Sequence, residues 1–371
     1  MAKTVSASGL RPQLWAKNLF VDAMASLYFV TQGMMGKEQN NIVQVQDDLE
    51  KEQGDRVHFK FTAKASGNGV DGDSELEGNE EQLQFYSESV LIDQKRNAVR
   101  LEGTLDEQKN GYEMRMEAKE NLGVWLKEFI ERQIFLKLAG VTNTSLNDVN
   151  GTVVGTGATW SNTPDFIPDA TTAAGTGSRY ICANSSGAAS LASTDKITPS
   201  LIDRAKAKAM TTNPKMMPIF ISGKPYWVLF VHPWQLYDLR QNAVWAQAMR
   251  EAEVRGKENP IFSGASGIWN GVVVHEHEFV PFLDISVAGN SFRGTASGTD
   301  FGADCFRALF CGRQAIGFAK AKNRKNQWVE KKFDYDNQFG VATSLIGGIQ
   351  KLLFNSVEYG VIAIDTAATA L

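Results

Sequence analysis

The strictest pattern in the sequence is an alternation of apolar and polar residues that predicts two β-strands. The first strand covers residues 57–63 and its partner covers residues 83–92. A glycine-rich acidic stretch connects them, so the pair is predicted to form an extended hairpin. A long hairpin cannot bury much apolar surface by itself, and it therefore needs a neighbour. The apolar face of the two strands contains Val57, Phe59, Phe61, Leu83 and Phe85.

The second strong pattern has the period of an α-helix and covers residues 104–139. Thr104 fits the start of a capping box, and Gly140 is a natural stop. At 1.5 Å per residue, an unbroken helix of this length would measure about 50 Å. Gly111 and Gly123 are positions at which it could break. The apolar positions at three- and four-residue spacing are Met116, Leu122, Leu126, Phe129, Ile130 and Ile134.

The rest of the sequence divides into a polar stretch and a region of mixed character, and the fold class is predicted to be α+β. Residues 141–195 are rich in Ser, Thr, Gly, Asn and Ala, which is typical of a long surface loop or insertion. Beyond this stretch, helical and strand patterns are interspersed. Helices are predicted over 199–210, 233–239 and 243–254. Strands are predicted over 218–221, 226–231, 271–280, 308–319, 340–349 and 359–364.

The composition excludes several classes of protein. Hydrophobic residues make up 43% and charged residues 22%, which is typical of a globular chain. The net charge of −4 argues against a protein whose main task is to grip nucleic-acid phosphates. Three cysteines are too few for a disulfide-stapled secreted scaffold. No apolar run approaches the roughly 20 residues of a membrane span, and no secretory signal is visible, so we expect a soluble chain made in the cytoplasm.

Two clusters have the residue types of a metal site, and both have simpler interpretations. His275 and His277 lie two residues apart on a predicted strand, so they would point to one face and could share an ion. A zincin site needs two histidines four residues apart on a helix, and we interpret the segment as an edge or interface strand. The acidic stretch resembles half of an EF-hand loop, but Leu76 and Gln82 occupy positions that require Gly and Glu. A solvated loop is favoured there, with weak cation binding between subunits as the alternative.

The sequence contains no convincing enzyme motif. A G-x-S-x-G element and a P-loop are both absent from it. Basic residues cluster over 320–332 around Trp328, which is compatible with nucleic-acid contact, although a solvated loop between strands is favoured. We therefore predict that the chain is not an enzyme and has no catalytic, cofactor-binding or metal-binding residues.

Five long segments carry a resemblance to a known family. They are 26–47 (SLYFVTQGMMGKEQNNIVQVQD), 54–61 (GDRVHFKF), 224–240 (KPYWVLFVHPWQLYDLR), 259–278 (NPIFSGASGIWNGVVVHEHE) and 331–348 (KKFDYDNQFGVATSLIGG). Together they resemble the major capsid proteins of tailed bacteriophages, in the podovirus-type family with the HK97-like fold.

The resemblance implies both an architecture and a function. The chain is expected to build the icosahedral head shell that encloses the double-stranded DNA genome of a tailed phage. Seven segments are expected: an N-arm (1–54), the extended hairpin loop with its adjoining strand (55–103), the spine helix of a peripheral domain (104–140), the Ser/Thr/Gly-rich insertion (141–195), an axial domain (196–320), return strands of the peripheral domain (321–356) and a closing axial strand with the C-terminus (357–371).

The resemblance also implies partners. The chain is expected to form hexamers and pentamers with itself, to need a separate scaffolding protein because its arm is short, and to meet a portal protein. A decoration protein is a further candidate, and packaged DNA would be met only through weak contacts of the inner surface. Assembly is expected in the host cytoplasm, and the mature location is the virion capsid. The apolar stripe of Val57, Phe59, Phe61, Leu83 and Phe85 is expected to pack against another subunit.

Two alternatives remain open at the level of the sequence. An encapsulin-like nanocompartment shares the fold but encloses enzymes. A β-rich surface or adhesion protein would suit the composition of residues 141–195, but the lack of a visible secretion signal counts against it.

Overall fold

A computed structural model of the chain describes residues 24–47, 54–62, 69–103, 105–140, 145–147, 153–156, 179–251, 265–283, 302–321 and 328–368, with short gaps inside several of these ranges. The described helices are α1 (Tyr28–Thr31), α2 (Met114–Ala139), α3 (Pro199–Thr211), α4 (Pro233–Gln241) and α5 (Ala243–Glu251). None of the helices in these ranges is long and apolar enough to cross a membrane.

The strands, in chain order, are β1 (Met35–Gly36), β2 (Val43–Gln46), β3 (Arg56–Thr62), β4 (Phe85–Leu91), β5 (Asp93–Arg100), β6 (Ser145–Asn147), β7 (Val153–Thr156), β8 (Tyr180–Cys182), β9 (Ile219–Ile221), β10 (Lys224–Val231), β11 (Gly267–Trp269), β12 (Val272–Glu276), β13 (Phe282–Leu283), β14 (Cys305–Cys311), β15 (Ile316–Lys320), β16 (Trp328–Phe333), β17 (Gln338–Lys351), β18 (Leu353–Phe354), β19 (Val357–Glu358) and β20 (Val361–Thr366).

The first of two large sheets is organised around the long strand β17. Its path runs β1-β2-β15-β17-β16, and β5 also pairs with β17. Strands β15 and β16 pair with opposite ends of β17, whereas β5 pairs antiparallel with its middle, from Gly340 to Gly347. Helix α2 packs on one face of this sheet, where Leu122 meets Val341 and Val99.

The second large sheet runs β11-β12-β10-β14-β20-β8, with β13 added to β14 and β9 to β10. Its central strands are buried on both faces, which explains their continuous apolar sequences. Helices α3 and α4 contribute Leu201, Ile202, Leu236 and Leu239 to the core on one face. The core on the other face is shared with α1 and with the last turns of α2.

Most locally encoded features are confirmed. Helix α2 ends at Ala139, and Gly140 has the left-handed backbone (φ 64°) expected of a stop. Gly123 lies within the helix and does not break it. Ser222 and Gly223 both have positive φ, as a tight β9–β10 turn requires. The predicted capping box at Thr104 lies outside the described residues.

Two predictions about the later part of the chain are wrong. The strand predicted over 308–319 is two strands in different sheets, because β14 ends at Cys311 and β15 starts at Ile316 after a turn in which Gln314 has a φ of 52°. The polar stretch 141–195 is not a loop throughout, since β8 pairs in parallel with β20 and its three residues are almost completely buried. The described residues of this stretch also include the small antiparallel pair β6–β7 and the turns over 183–195.

Candidate functional site

The stem of the hairpin is formed by β3 and β4, which pair from Arg56–Leu91 to Thr62–Phe85 as predicted. Its apolar side chains Val57, Phe59 and Phe61 have exposures of only 3%, 1% and 7%. They are covered within the chain by Ala319, Leu352 and Tyr359, in a cluster of their own on the first sheet. A Cβ added at Gly317 would lie 2.8 Å from the Phe59 ring, so the stem packs directly on the backbone of β15.

The expected contact of this stripe with another subunit is therefore wrong for Val57, Phe59 and Phe61. The alternation showed correctly that one face of the strand needs an apolar cover, and the first sheet of the same chain supplies it. Leu83 lies outside the described residues. Phe85, at the far end of the stem, is 67% exposed, and its contact with a second subunit stays a prediction.

The connection between β3 and β4 is strongly acidic and carries its charges in solvent. Residues 69–82 contain no basic residue. We call the exposed carboxylates described there the acidic tip; they are Asp71, Glu75, Glu77, Glu80 and Glu81.

A cationic area lies on the first sheet, on the face opposite α2, and we call it the open face. Alternate residues of a strand point to opposite faces. Lys95 and Val99 on β5 point towards α2, since Lys95 lies over Phe129. Arg96 and Arg100 therefore point the other way, and Lys331 on β16 joins them because both Arg100 and Lys331 pair with Gly340. The side chains of all three residues are exposed.

The aromatic ring of Phe333 contacts two of the three cations on the open face. Phe333 lies against the backbone of Gly340, where an added Cβ would approach the ring to 2.7 Å. The Arg100 guanidinium and the Lys331 ammonium lie 4.4 and 4.8 Å from the centre of this ring. Arg100 Nε also donates to Gln338 Oε1 at 2.9 Å. Cation–π contacts at exposed sites contribute about 0.5–1 kcal/mol each, so the ring favours these positions of the two cations.

The hairpin stem and the open face occupy opposite ends of one sheet. The stem begins beside Gly347, where β5 starts, and Glu88 in its middle accepts a hydrogen bond from Gln350. At its far end, the Phe61 and Tyr86 rings meet Phe354. The stem therefore points along β17 away from Gly340, and it carries the acidic tip away from the cations of its own chain.

The sequence patterns identified only part of this arrangement. Lys331 belongs to the basic cluster over 320–332, whereas Arg96 and Arg100 were missed. Their spacing by four residues on a strand places them on one face, and this is the signal that could have found them. Their proximity to Lys331 depends on strand pairing between distant parts of the chain.

The two candidate metal-binding histidines are packed against α1 and α2. His275 is fully buried on β12 and shares a hydrogen bond of 2.7 Å between its Nδ1 and the Tyr28 hydroxyl. His277 follows the strand end, and its ring centre lies 4.4 Å from that of Phe135 with the two rings tilted by 31°. Burial lowers the pKa of His277 to about 4, with smaller contributions from Lys127 and His275, so this side chain is neutral near pH 7.

We predict that neither histidine binds a metal. Within the described ranges, no group of three or more His, Cys, Asp or Glu residues is arranged to hold an ion. Elemental analysis of purified protein after dialysis against EDTA should find far less than one zinc or nickel ion per chain. Stoichiometric metal that a His275→Phe, His277→Phe double variant loses would contradict this prediction.

Comparisons with known proteins agree with the architecture. The structure is similar to the capsid of Ralstonia phage GP4, with a TM-score of 0.73, 29% identity and coverage of 93% of this chain and 92% of that one. It also resembles the Cyanophage Pam1 capsid asymmetric unit, with a TM-score of 0.65 and 22% identity over 99% of both chains. The fold is thus the HK97-like capsid fold, in which strands predominate over a few helices, and the predicted fold class is confirmed.

Sequence comparison supplies the family. A major capsid protein of Pseudomonas phage KPP25 is 30% identical over 352 residues, which cover 90% of this chain and 89% of the relative. Residues 3–370 match the profile of the family described as phage capsid protein. The chain belongs to this family, and its function is that of a major capsid protein of a phage, located in the virion capsid. The comparisons favour this function over an encapsulin-like shell and over a surface adhesin.

Proposed function

We propose that the chain forms the icosahedral head shell around the double-stranded DNA of a tailed phage by associating into hexamers and pentamers. The family supports shell formation by many copies. The observation that carries the proposal is self-complementarity: one chain presents an acidic tip at one end of a sheet and a cationic open face at the other. Repeated contact between copies in one direction generates a closed ring when the rotation between them closes.

Distance supports a contact between copies rather than within one chain. From Leu352 to Gly340, β17 rises by about 40 Å at 3.3 Å per residue. The connection over 63–84 must leave the stem and return to it, so each half can extend by at most about 36–40 Å. Only a fully stretched connection doubled back along the sheet would reach the open face of its own chain. The open face of a neighbouring copy is the simpler target, and the exposed Phe85 would lie beside that contact.

Charge chemistry explains why such a contact would suit assembly. Exposed ion pairs contribute only about 0.2–1 kcal/mol each, so a single contact is weak and reversible. Each copy would both donate a tip and receive one, and weak contacts repeated over a lattice allow misplaced subunits to leave. Charge complementarity also fixes the register of the contact and raises the association rate.

The proposal also includes the molecules with which the shell would interact. A scaffolding protein would guide the shell in the host cytoplasm, a portal protein would occupy a vertex, and a decoration protein is a further candidate. Packaged DNA would meet only weak contacts of the inner surface, in keeping with the net charge of −4. The chain would act by assembly alone and catalyse no reaction.

Charge reversal tests the proposed contact. We expect Arg96→Glu with Lys331→Glu to weaken each contact between copies by about 1.4 kcal/mol, which is a factor of ten in its equilibrium constant. The yield of shells in negative-stain images should fall by about that factor. Asp71→Lys with Glu77→Lys should do the same from the other side. The variant that carries all four substitutions restores attraction, and it should recover most of the shells.

The matched control reverses two exposed lysines outside both surfaces, Lys215→Glu and Lys224→Glu, and it should assemble normally. Circular dichroism should show that every variant is folded. If the wild-type protein forms no shells even when it is co-expressed with the other head proteins of its phage, the proposal of shell formation is wrong. If each double variant assembles like the control, shells form through other surfaces and the tip contact is refuted.

A further inference from the structure

A buried ion pair joins the second sheet to the end of helix α2. Arg307 on β14 and Asp365 on β20 face each other in the antiparallel ladder, and both side chains have 0% exposure. Arg307 Nε and Nη2 donate to the two carboxylate oxygens of Asp365 at 2.8 Å each. The remaining nitrogen, Nη1, donates to the main-chain oxygen of Ala139 at 3.1 Å. One rigid guanidinium therefore binds two strands of the sheet and the last residue of the helix.

The helix end is a favourable place for this cation. The last carbonyl groups of a helix have no partner within the helix, and they form the negative end of its dipole. Gly140 turns the chain away directly after Ala139, and its N–H donates to Lys137 O at 3.1 Å. Because α2 packs along the first sheet and Arg307 belongs to the second, this hydrogen bond links the two large sheets through the helix.

Stability alone is a poor explanation for a charged pair at this position. Burial acts to lower the pKa of Arg307, and the Asp365 carboxylate outweighs it, so the net pKa is raised and the guanidinium stays charged. Removing two ions from water costs several kcal/mol for each, and well-packed apolar residues in such places are often as stable or more so. An apolar pair lacks the fixed fork of the guanidinium, which sets directions as well as distances.

We infer that Arg307 is a positioning residue that fixes the angle between helix α2 and the second sheet, and that this angle sets the curvature of the shell. The link between this angle and shell curvature rests on the proposed function, whereas the role of Arg307 in fixing the angle does not. Subunits that repeat one contact close into a shell only when the rotation between them is correct. A subunit with a variable internal angle would build shells of several sizes, or open tubes.

Two variants distinguish an effect of Arg307 on the angle from an effect on stability. Arg307→Met with Asp365→Leu removes both charges together, so neither is left buried alone. Arg307→Lys keeps the charge, but a single ammonium cannot form the fork to Asp365 and also reach Ala139. Both variants should fold. Arg307→Met with Asp365→Leu should unfold at a temperature close to that of the wild type, whereas Arg307→Lys should unfold at a lower one, because a buried acceptor loses its donor.

The angle is read from the distance between two spin labels. Glu120→Cys places one label on α2, and Ala207→Cys places the other on α3, which packs on the second sheet. Both positions are exposed, and the three native cysteines are buried. Pulsed electron spin resonance should give one narrow distance distribution for the wild-type background. Both Arg307 variants should give a shifted or broadened distribution.

The matched control is a second ion pair of the same chemistry. Lys351 and Glu358 are 2.5 Å apart with 1% exposure each, and they belong to β17 and β19, not to α2 or to a strand of the second sheet. Lys351→Met with Glu358→Leu should leave the label distance unchanged. In electron micrographs, shells of this control and of the wild type should have one diameter, and shells of the Arg307 variants several.

Each outcome decides the inference. Unchanged label distances in folded Arg307 variants would overturn it, and so would unfolding of both variants, because the pair would then act on stability. Changed distances with shells of normal diameter would overturn the link to curvature. If the wild-type protein forms no shells, the proposed function fails, and the label distances still decide whether Arg307 fixes the angle.

Discussion

Replacing Phe59 by alanine is expected to lower the free energy of unfolding by about 3–5 kcal/mol, because the ring is almost fully buried and its removal leaves a cavity. The ring packs on Gly317 and belongs to the cluster that fixes the hairpin stem to the first sheet. The loss should therefore appear in the isolated monomer, before any assembly. Urea denaturation of dilute protein, followed by intrinsic fluorescence, measures it.

Phe85→Ala is the matched control for this prediction. It removes the same ring from the same hairpin, but at a position that is 67% exposed. Its effect on unfolding of the monomer should stay within about 0.5 kcal/mol, as for most surface substitutions. Reduced shell yield in this variant alone would place Phe85 at a contact between copies. If instead Phe59→Ala left monomer stability unchanged, the packing of the stem on its own sheet would be wrong.

The contrast between these two residues shows what alternation can and cannot predict. It identified the strand pair and the apolar face correctly, because those follow from the period of the backbone. It did not identify the cover of that face, since β15 and β17 lie far away in sequence and approach only through sheet pairing. A resemblance to proteins that assemble made a second subunit the natural but mistaken choice for Phe59.

The remaining misses have equally physical causes. Tyr180–Cys182 form a strand of three residues inside a stretch rich in Ser, Thr and Gly, and three residues are too few to establish a period. The division of 308–319 was hidden because both halves are buried and therefore apolar throughout. In contrast, the stop at Gly140 is encoded by a few neighbouring residues, and it was predicted correctly.

Sequence patterns could not identify the open face or the buried Arg307–Asp365 ion pair, for a related reason. Both consist of charged residues from separate elements, and each becomes a site only through register. Nothing in the composition of β14 distinguishes Arg307 from a solvated arginine at a strand edge. Burial on both faces of the second sheet is what turns it into a structural feature.

Acidification from pH 6.5 to about 4 is expected to destabilise the folded chain through His232 and His277. Burial lowers the pKa of His232 to about 4, and burial, with Lys127 and His275, lowers that of His277 to about 4. In the unfolded chain both groups titrate near 6.5. Between these values the unfolded state binds more protons, so the free energy of unfolding is highest above pH 6.5 and falls as the pH falls.

The size of this effect follows from linkage. One pKa unit corresponds to about 1.4 kcal/mol, so the fall from 6.5 to about 4 lets each histidine contribute at most about 3.5 kcal/mol. Both imidazoles accept hydrogen bonds from main-chain N–H groups, those of Trp234 and Phe279 respectively. His232→Asn with His277→Asn keeps an acceptor at each position but removes the titration. In this variant the free energy of unfolding should change much less between pH 6.5 and 4.5 than in the wild type.

The control is His58→Asn, which makes the same substitution at an exposed histidine. Carboxyl groups titrate in the same range in every variant, so the decisive quantity is the difference between variants rather than the curve of any one. Denaturant unfolding at pH 6.5, 5.5 and 4.5 supplies it. A double variant that loses stability on acidification as steeply as the wild type would show that other groups cause the loss. A flattened curve would identify His232 and His277 as the acid-sensitive groups of the subunit.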